Sequence, residues 1–172
     1  MTEEEWFAGH DESRMKSFAL WRSQRKLTLA RMSQLRLVWH ELTDRSRFAV
    51  EIQEDIADGS KDADALNQYR VALIDAFGIM AREGDVSLTA HLHEIFGNPF
   101  RQVDFNSAWR TSDVLLLARG IYKERAFDRM PILADAIQDA GCDDEEMLNH
   151  LRDANATHVR GCWALDLVLG KE

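Results

Sequence analysis

The chain has 172 residues, and its 21 Lys and Arg against 30 Asp and Glu leave a net charge of −9. Apolar residues make up 45% and charged residues 30%, with only two prolines and nine glycines, a composition that excludes a disordered or fibrous chain. The length suits one ordinary domain burying about 68–70% of its unfolded surface, and the acidic balance opposes sequence-independent binding to nucleic acid or an anionic membrane.

Nearly every segment follows a 3.6-residue rather than a 2-residue period. A first helix is predicted from about Asp11, with Met15, Phe18 and either Leu20 or Trp21 inward. The second runs from about Ser23 to Leu42, where Met32, Leu35, Trp39 and Leu42 repeat at 3-4-3 spacing and Leu27, Ala30, Leu37 and Val38 widen the stripe, which places Trp39 at the centre of the core. Thr43 and Asp44 supply a cap for a third helix through Phe48, Ile52 and Ile56, stopped by Gly59. Ala63 to Arg82 reads as a fourth, ended at Gly84, and Val86 to Phe96 as a fifth, ended at Gly97.

Pro99 excludes helix from the residue before it, so the stretch from Asn98 through Gln102 to Asn106 is read as a loop anchored in the core by Phe100, Val103 and Phe105. Ser112 caps a helix through Val114, Leu117, Ala118 and Ile121. Pro131 sits at the first position of the next, which turns Ile132, Leu133, Ala136 and Ile137 inward and stops at Gly141. Asp143 and Glu146 form a capping pattern for a short helix to about Arg152, and Thr157 caps a last one through His158, Cys162, Leu165 and Leu169. The expected fold is all-α, a single-domain orthogonal bundle of about eight or nine short helices. Within it, subregions 1–59 and 93–172 are joined by a helix over 62–83.

Two cysteines, Cys142 and Cys162, are too few for a disulfide framework. The acidic start Met1-Thr2-Glu3-Glu4-Glu5 lacks the basic character of a signal peptide, and no apolar run approaches the ~18 residues of a membrane span. A cytoplasmic location is the expectation.

Cys142, His150, His158 and Cys162 have the composition of a structural zinc site. On a helix, His158 and Cys162 share a face, whereas Cys142 and His150 stand about 12 Å apart along the axis. Cys162 also shares a stripe with Leu165 and Leu169, which favours a buried thiol beside a hydrogen-bonded histidine, with no metal and no other cofactor. The His150, His158 and Cys162 set is the alternative, as a metal site or metal-dependent enzyme. His91, His93 and Glu94 read as His-x-His-Glu, without the second histidine four residues on that a zinc protease helix requires, so solvated or capping roles are expected of the histidines. Asp135 and Asp139 sit one turn apart on a solvated face. Asp166 is flanked by leucines and read as a structural ion-pair member, with Arg160 or Arg119 as candidates. No phosphate-binding glycine loop, G-x-S-x-G or C-x-x-C occurs.

Between Arg22 and Arg47 there are seven basic residues against two acidic ones, with acidic segments on both sides. Arg22, Arg25 and Arg36 are placed on one helical face. Internal ion pairing is the expectation for the individual arginines, and an interaction surface for a partner is the alternative.

Further motifs carry a resemblance. They are Ile95-Phe96-Gly97-Asn98-Pro99-Phe100-Arg101, Ala118-Arg119-Gly120-Ile121-Tyr122, the run from Phe127 to Ala136, Ala140-Gly141-Cys142-Asp143, and His158-Val159-Arg160-Gly161-Cys162-Trp163 followed by Asp166-Leu167-Val168-Leu169-Gly170. With Met1 to Trp6 and the segment from Arg25 to Trp39, ending at Asp58-Gly59, they resemble a large, functionally uncharacterised paralogous family of helical proteins from planctomycete bacteria. The resemblance spans roughly 1–59 and 93–172 and implies a shared helical fold without a reaction. The family pattern often carries further cysteines, at the position of Leu151 and in the second helix. Their absence here argues against transferring a metal site from it. The function expected from the sequence is therefore a non-catalytic helical domain that binds a protein partner.

Overall fold

Side-chain caps set most helix boundaries, because the first amide groups of a helix need acceptors from outside its own ladder. In the computed structural model, which describes residues 1–82, 87–101 and 103–171, every regular element is helical, as the periodicity predicts. Thr2 and Glu5 form a capping box on α1 (Glu3–Ala8), a helix the sequence reading left out. Asp11 caps α2 (Glu12–Arg22), Ser23 caps α3 (Gln24–Leu37) and Thr43 caps α4 (Asp44–Ala57). A 3₁₀ turn over Ala63–Tyr69 precedes α5 (Arg70–Arg82), and α6 spans Thr89–Phe96. Thr111, not Ser112, caps α7 (Ser112–Glu124), and α8 (Met130–Asp139) opens with Pro131 in its first turn. Asp144, not Asp143, caps α9 (Glu145–Arg152), and α10 covers only Trp163–Leu169, so Thr157 caps nothing and His158 is not helical. The expected helix stop at Gly84, the start at Val86 and the loop residue Gln102 lie outside the described residues.

The chain divides into two compact units, residues 1–93 and 94–172. In the first, α3 packs on α4 and α4 on α5 around Met32, Leu35, Val38, Leu42, Val50 and Ala76. The α3 helix ends at Leu37 and a 3₁₀ turn, Trp39–Glu41, follows. The turn rotates Trp39 out of the stripe: the indole is half-buried and lies under the Arg36 guanidinium, 3.8 Å from its ring centroid. Leu37, the last residue of α3, is exposed. Leu20 and Phe48 also face out, and Trp21 is 91% exposed; Trp6 is the tryptophan fully enclosed in this unit.

In the second unit α7, α8, α9 and α10 surround Ala118, Ile121, Leu133, Ile137, Met147 and Leu165. Val103 and Phe105 pack against this core as expected. Phe100 and Ile132 do not; both are exposed. Gly97 ends α6 with φ 58°, a left-handed position suited to glycine.

Trp6→Ala is expected to cost about 3–5 kcal/mol, as deletion of a large enclosed aromatic does, whereas Trp21→Ala should stay within about 0.5 kcal/mol. Denaturant unfolding measures both. Equal losses would contradict the assignment of buried and exposed faces.

Candidate metal centre

Four side chains of the second unit converge from different pieces of backbone. Glu94 lies in the last turn of α6, His150 near the end of α9, His158 in the irregular segment after it, and Cys162 immediately before α10. One ligand-type atom from each lies within 4.8 Å of all the others. His158 Nδ1 is 3.0 Å from Glu94 Oε1, His150 Nε2 is 3.5 Å from Glu94 Oε2, and His150 Nε2 is 3.2 Å from Cys162 Sγ. The imidazoles meet edge to face with centroids 5.0 Å apart. Cys162 is fully buried, and the side chains of His158, Glu94 and His150 are 6%, 9% and 19% exposed.

Burial by itself would raise the Glu94 carboxyl, but hydrogen bonds and coulombic attraction from His150 and His158 outweigh it and hold the group down at about 2. Glu94 is therefore an anion enclosed by two imidazoles. Cys162 is pushed the opposite way: burial raises its thiol well above the usual range and the Glu94 charge adds to that. Without a cation nearby Cys162 is a protonated thiol, which rules it out as a free nucleophile at neutral pH. His158 Nε2, on the ring edge away from Glu94, is buried and has no hydrogen-bond partner among the described residues. His158 also forms part of the wall of a cleft of about 500 Å³ with Phe127, Asp128, Pro131 and Asp153.

Cys142 is buried in the core of the unit and stays outside this group. The sequence reading thus has three of the four members, and it reaches His158 and Cys162 by a helix that does not form. The missing member is Glu94. Its signal was its position: Leu92, Ile95 and the interrupting Gly97 mark a helix end enclosed in apolar side chains, where a carboxylate needs partners. Of the neighbouring histidines, His91 is neither solvated nor a cap, whereas His93 bonds a last-turn carbonyl of α1 and so does cap a helix end. His91 is buried with Nδ1 2.7 Å from Ser33 Oγ, and His93 Nε2 is 2.9 Å from the Trp6 carbonyl oxygen.

The other candidates resolve as local structure. Arg152 donates to Asp135 at 2.6 Å, and Asp139 is exposed. Asp166 is fully buried in α10, and the Arg160 guanidinium stands over Tyr122 at 5.3 Å. Arg25 pairs with Asp58 at 2.8 Å and Arg36 with Glu54 at 2.8 Å, both carboxylates nearly enclosed, so these arginines are engaged inside the first unit as the charge balance predicts. Arg22 ends α2 and stands over Phe18, on a different helix from Arg25 and Arg36, so the three do not share one helical face.

Comparison of the chain with known protein families, with curated proteins and with solved structures finds no match.

Removal of the Glu94 carboxylate leaves two buried imidazoles without their shared acceptor. Glu94→Ala is expected to destabilise the metal-free protein by about 3 kcal/mol, the scale of breaking a buried charged pair by deleting one partner. A loss under 1 kcal/mol in chemical denaturation would show that the carboxylate does not hold the cluster together.

Proposed function

We propose that the second unit is a metal-binding module that holds one divalent transition-metal ion, with zinc as the best match, between Glu94, His150, His158 and Cys162. The observation that carries this reading is the convergence of two imidazoles, a thiol and a carboxylate within 4.8 Å. Zinc bonds of about 2.0–2.3 Å to nitrogen, oxygen and sulfur, arranged tetrahedrally, put neighbouring ligand atoms about 3.3–3.7 Å apart. The separations of 3.0 and 3.5 Å from the two Glu94 oxygens to His158 and His150, and of 3.2 Å from His150 to Cys162, are of that order, and a set of one atom from each residue lies within 4.8 Å. The thiol and imidazoles select a borderline-soft cation over magnesium or calcium, which take oxygen ligands.

All four positions are supplied by the protein and little of any ligand reaches solvent. A closed set is the arrangement of structural sites, since catalytic zinc keeps one position for water or substrate. The ion would tie the end of α6, helix α9 and the irregular segment before α10 into one piece, and metal affinity would appear as folding stability. Cys162 must release its proton to bind, and the cation drives that release. The unit would then act through a metal-stabilised surface, which agrees with a non-catalytic domain whose partner is another protein.

Purified protein is expected to contain about one zinc per chain, to lose thermal stability when stripped by a chelator, and to recover it with added zinc. His158→Ala and Cys162→Ala should each abolish stoichiometric uptake. Metal-free protein with a chelator-independent Tm and no uptake of added zinc would contradict the proposal.

A further inference from the structure

We infer that Trp163, seated against Gly97, is a positioning residue for this metal centre, holding the His150 imidazole in ligating orientation by packing against its ring; the inference rests on the metal reading above. Trp163 follows Cys162 directly in the chain, so the thiol and the indole leave neighbouring residues at the start of α10. The indole is 8% exposed and lies 5.1 Å, centroid to centroid, from the His150 ring, tilted 39° to it. His158 meets the same imidazole edge-on at 5.0 Å. His150 thus packs against both a second ligand and an aromatic side chain that is not one. It is also the most exposed of the four ligands, at 19% of its side chain.

Gly97 makes this placement possible. It has φ 58°, and a Cβ built on it would stand 2.8 Å from Trp163 Cγ and 3.0 Å from Cδ1 and Cδ2, closer than carbon atoms approach without displacement. The same helix end carries Glu94 three residues earlier. One short stretch of backbone therefore delivers a ligand and makes room for the ring that orients another. Groups around metal ligands fix ring orientation and control water access, and their loss typically costs 10–100-fold in affinity.

The test uses the full chain and three substitutions, Trp163→Leu, Trp163→Phe and Gly97→Ala, with two readouts: zinc affinity by competition with a chromophoric chelator, and the visible absorption spectrum of the Co(II)-loaded protein. Trp163→Leu keeps an apolar side chain without a flat ring and is expected to weaken zinc binding by about 10–100-fold and to change the Co(II) bands. Trp163→Phe should restore most of both, and Gly97→Ala should shift them in the same direction as Trp163→Leu. Wild-type affinity and an unchanged Co(II) spectrum in Trp163→Leu would overturn the inference even if Tm fell, since packing alone would explain such a fall. Failure of the wild-type chain to bind zinc would remove the metal reading and this inference together, whereas wild-type binding with indifferent variants would remove only the role of Trp163.

Discussion

A carboxylate enclosed at the end of a helix is the constraint around which the second unit is arranged. Glu94 has almost no access to water, so its charge must be balanced by protein groups or by a bound cation. Two imidazoles supply that balance, one from α9 and one from the irregular segment after it. They bring the last turn of α9 and the segment leading to α10 to one carboxylate. The Cys162 sulfur, at the start of α10, lies 3.2 Å from His150. The left-handed turn at Gly97 and the indole of Trp163 follow from the same requirement, because the helix end that holds Glu94 has to approach α10 closely.

The electrostatics of the cluster point the same way. A carboxylate held at about 2 beside a thiol raised well above its usual range is a paired anion and a neutral acid in one enclosed space. Neither is arranged for catalysis by proton transfer near neutral pH, where a useful group titrates close to the working pH. A divalent cation at the centre would be attracted by the carboxylate, would convert the thiol to a thiolate, and would take both imidazoles as neutral ligands. The donor set thus has more use as a ligand set than as an acid-base pair. Enclosure of such a set would suit a structural ion better than a catalytic one.

Most of the helical architecture was legible from local chemistry. Thr43, Ser23, Asp11 and Pro131 act at helix starts because capping depends on neighbouring residues alone. What failed was the extrapolation of period across a boundary. The stripe that placed Trp39 in the core assumed one helix from Ser23 to Leu42, and the 3₁₀ turn after Leu37 changes the rotation per residue enough to move the indole to the edge. Phe48 and Ile132 fit their stripes yet face out, because a stripe says which residues share a side and not how far the neighbouring helix covers it. The candidate site was legible in composition and not in geometry. His150, His158 and Cys162 stand close enough in sequence to be grouped, but Glu94 is 64 residues from its partner His158, and no local pattern couples them. Cys142 belongs to the same sequence cluster and the same apolar core but lies outside the group of four. The acidic and basic segments of the first unit behaved as charge balance predicts, with Arg25 and Arg36 each matched to a carboxylate of α4 or the residue that follows it.

Coordination of one ion by these four side chains is measured most directly by X-ray absorption at the zinc edge of the loaded protein. The predicted result is a four-coordinate shell with one sulfur at about 2.3 Å and three nitrogen or oxygen atoms at about 2.0–2.2 Å, with the sulfur contribution lost in Cys162→Ser. A six-coordinate shell of oxygen atoms, or a sulfur-free shell in the wild-type protein, would contradict it.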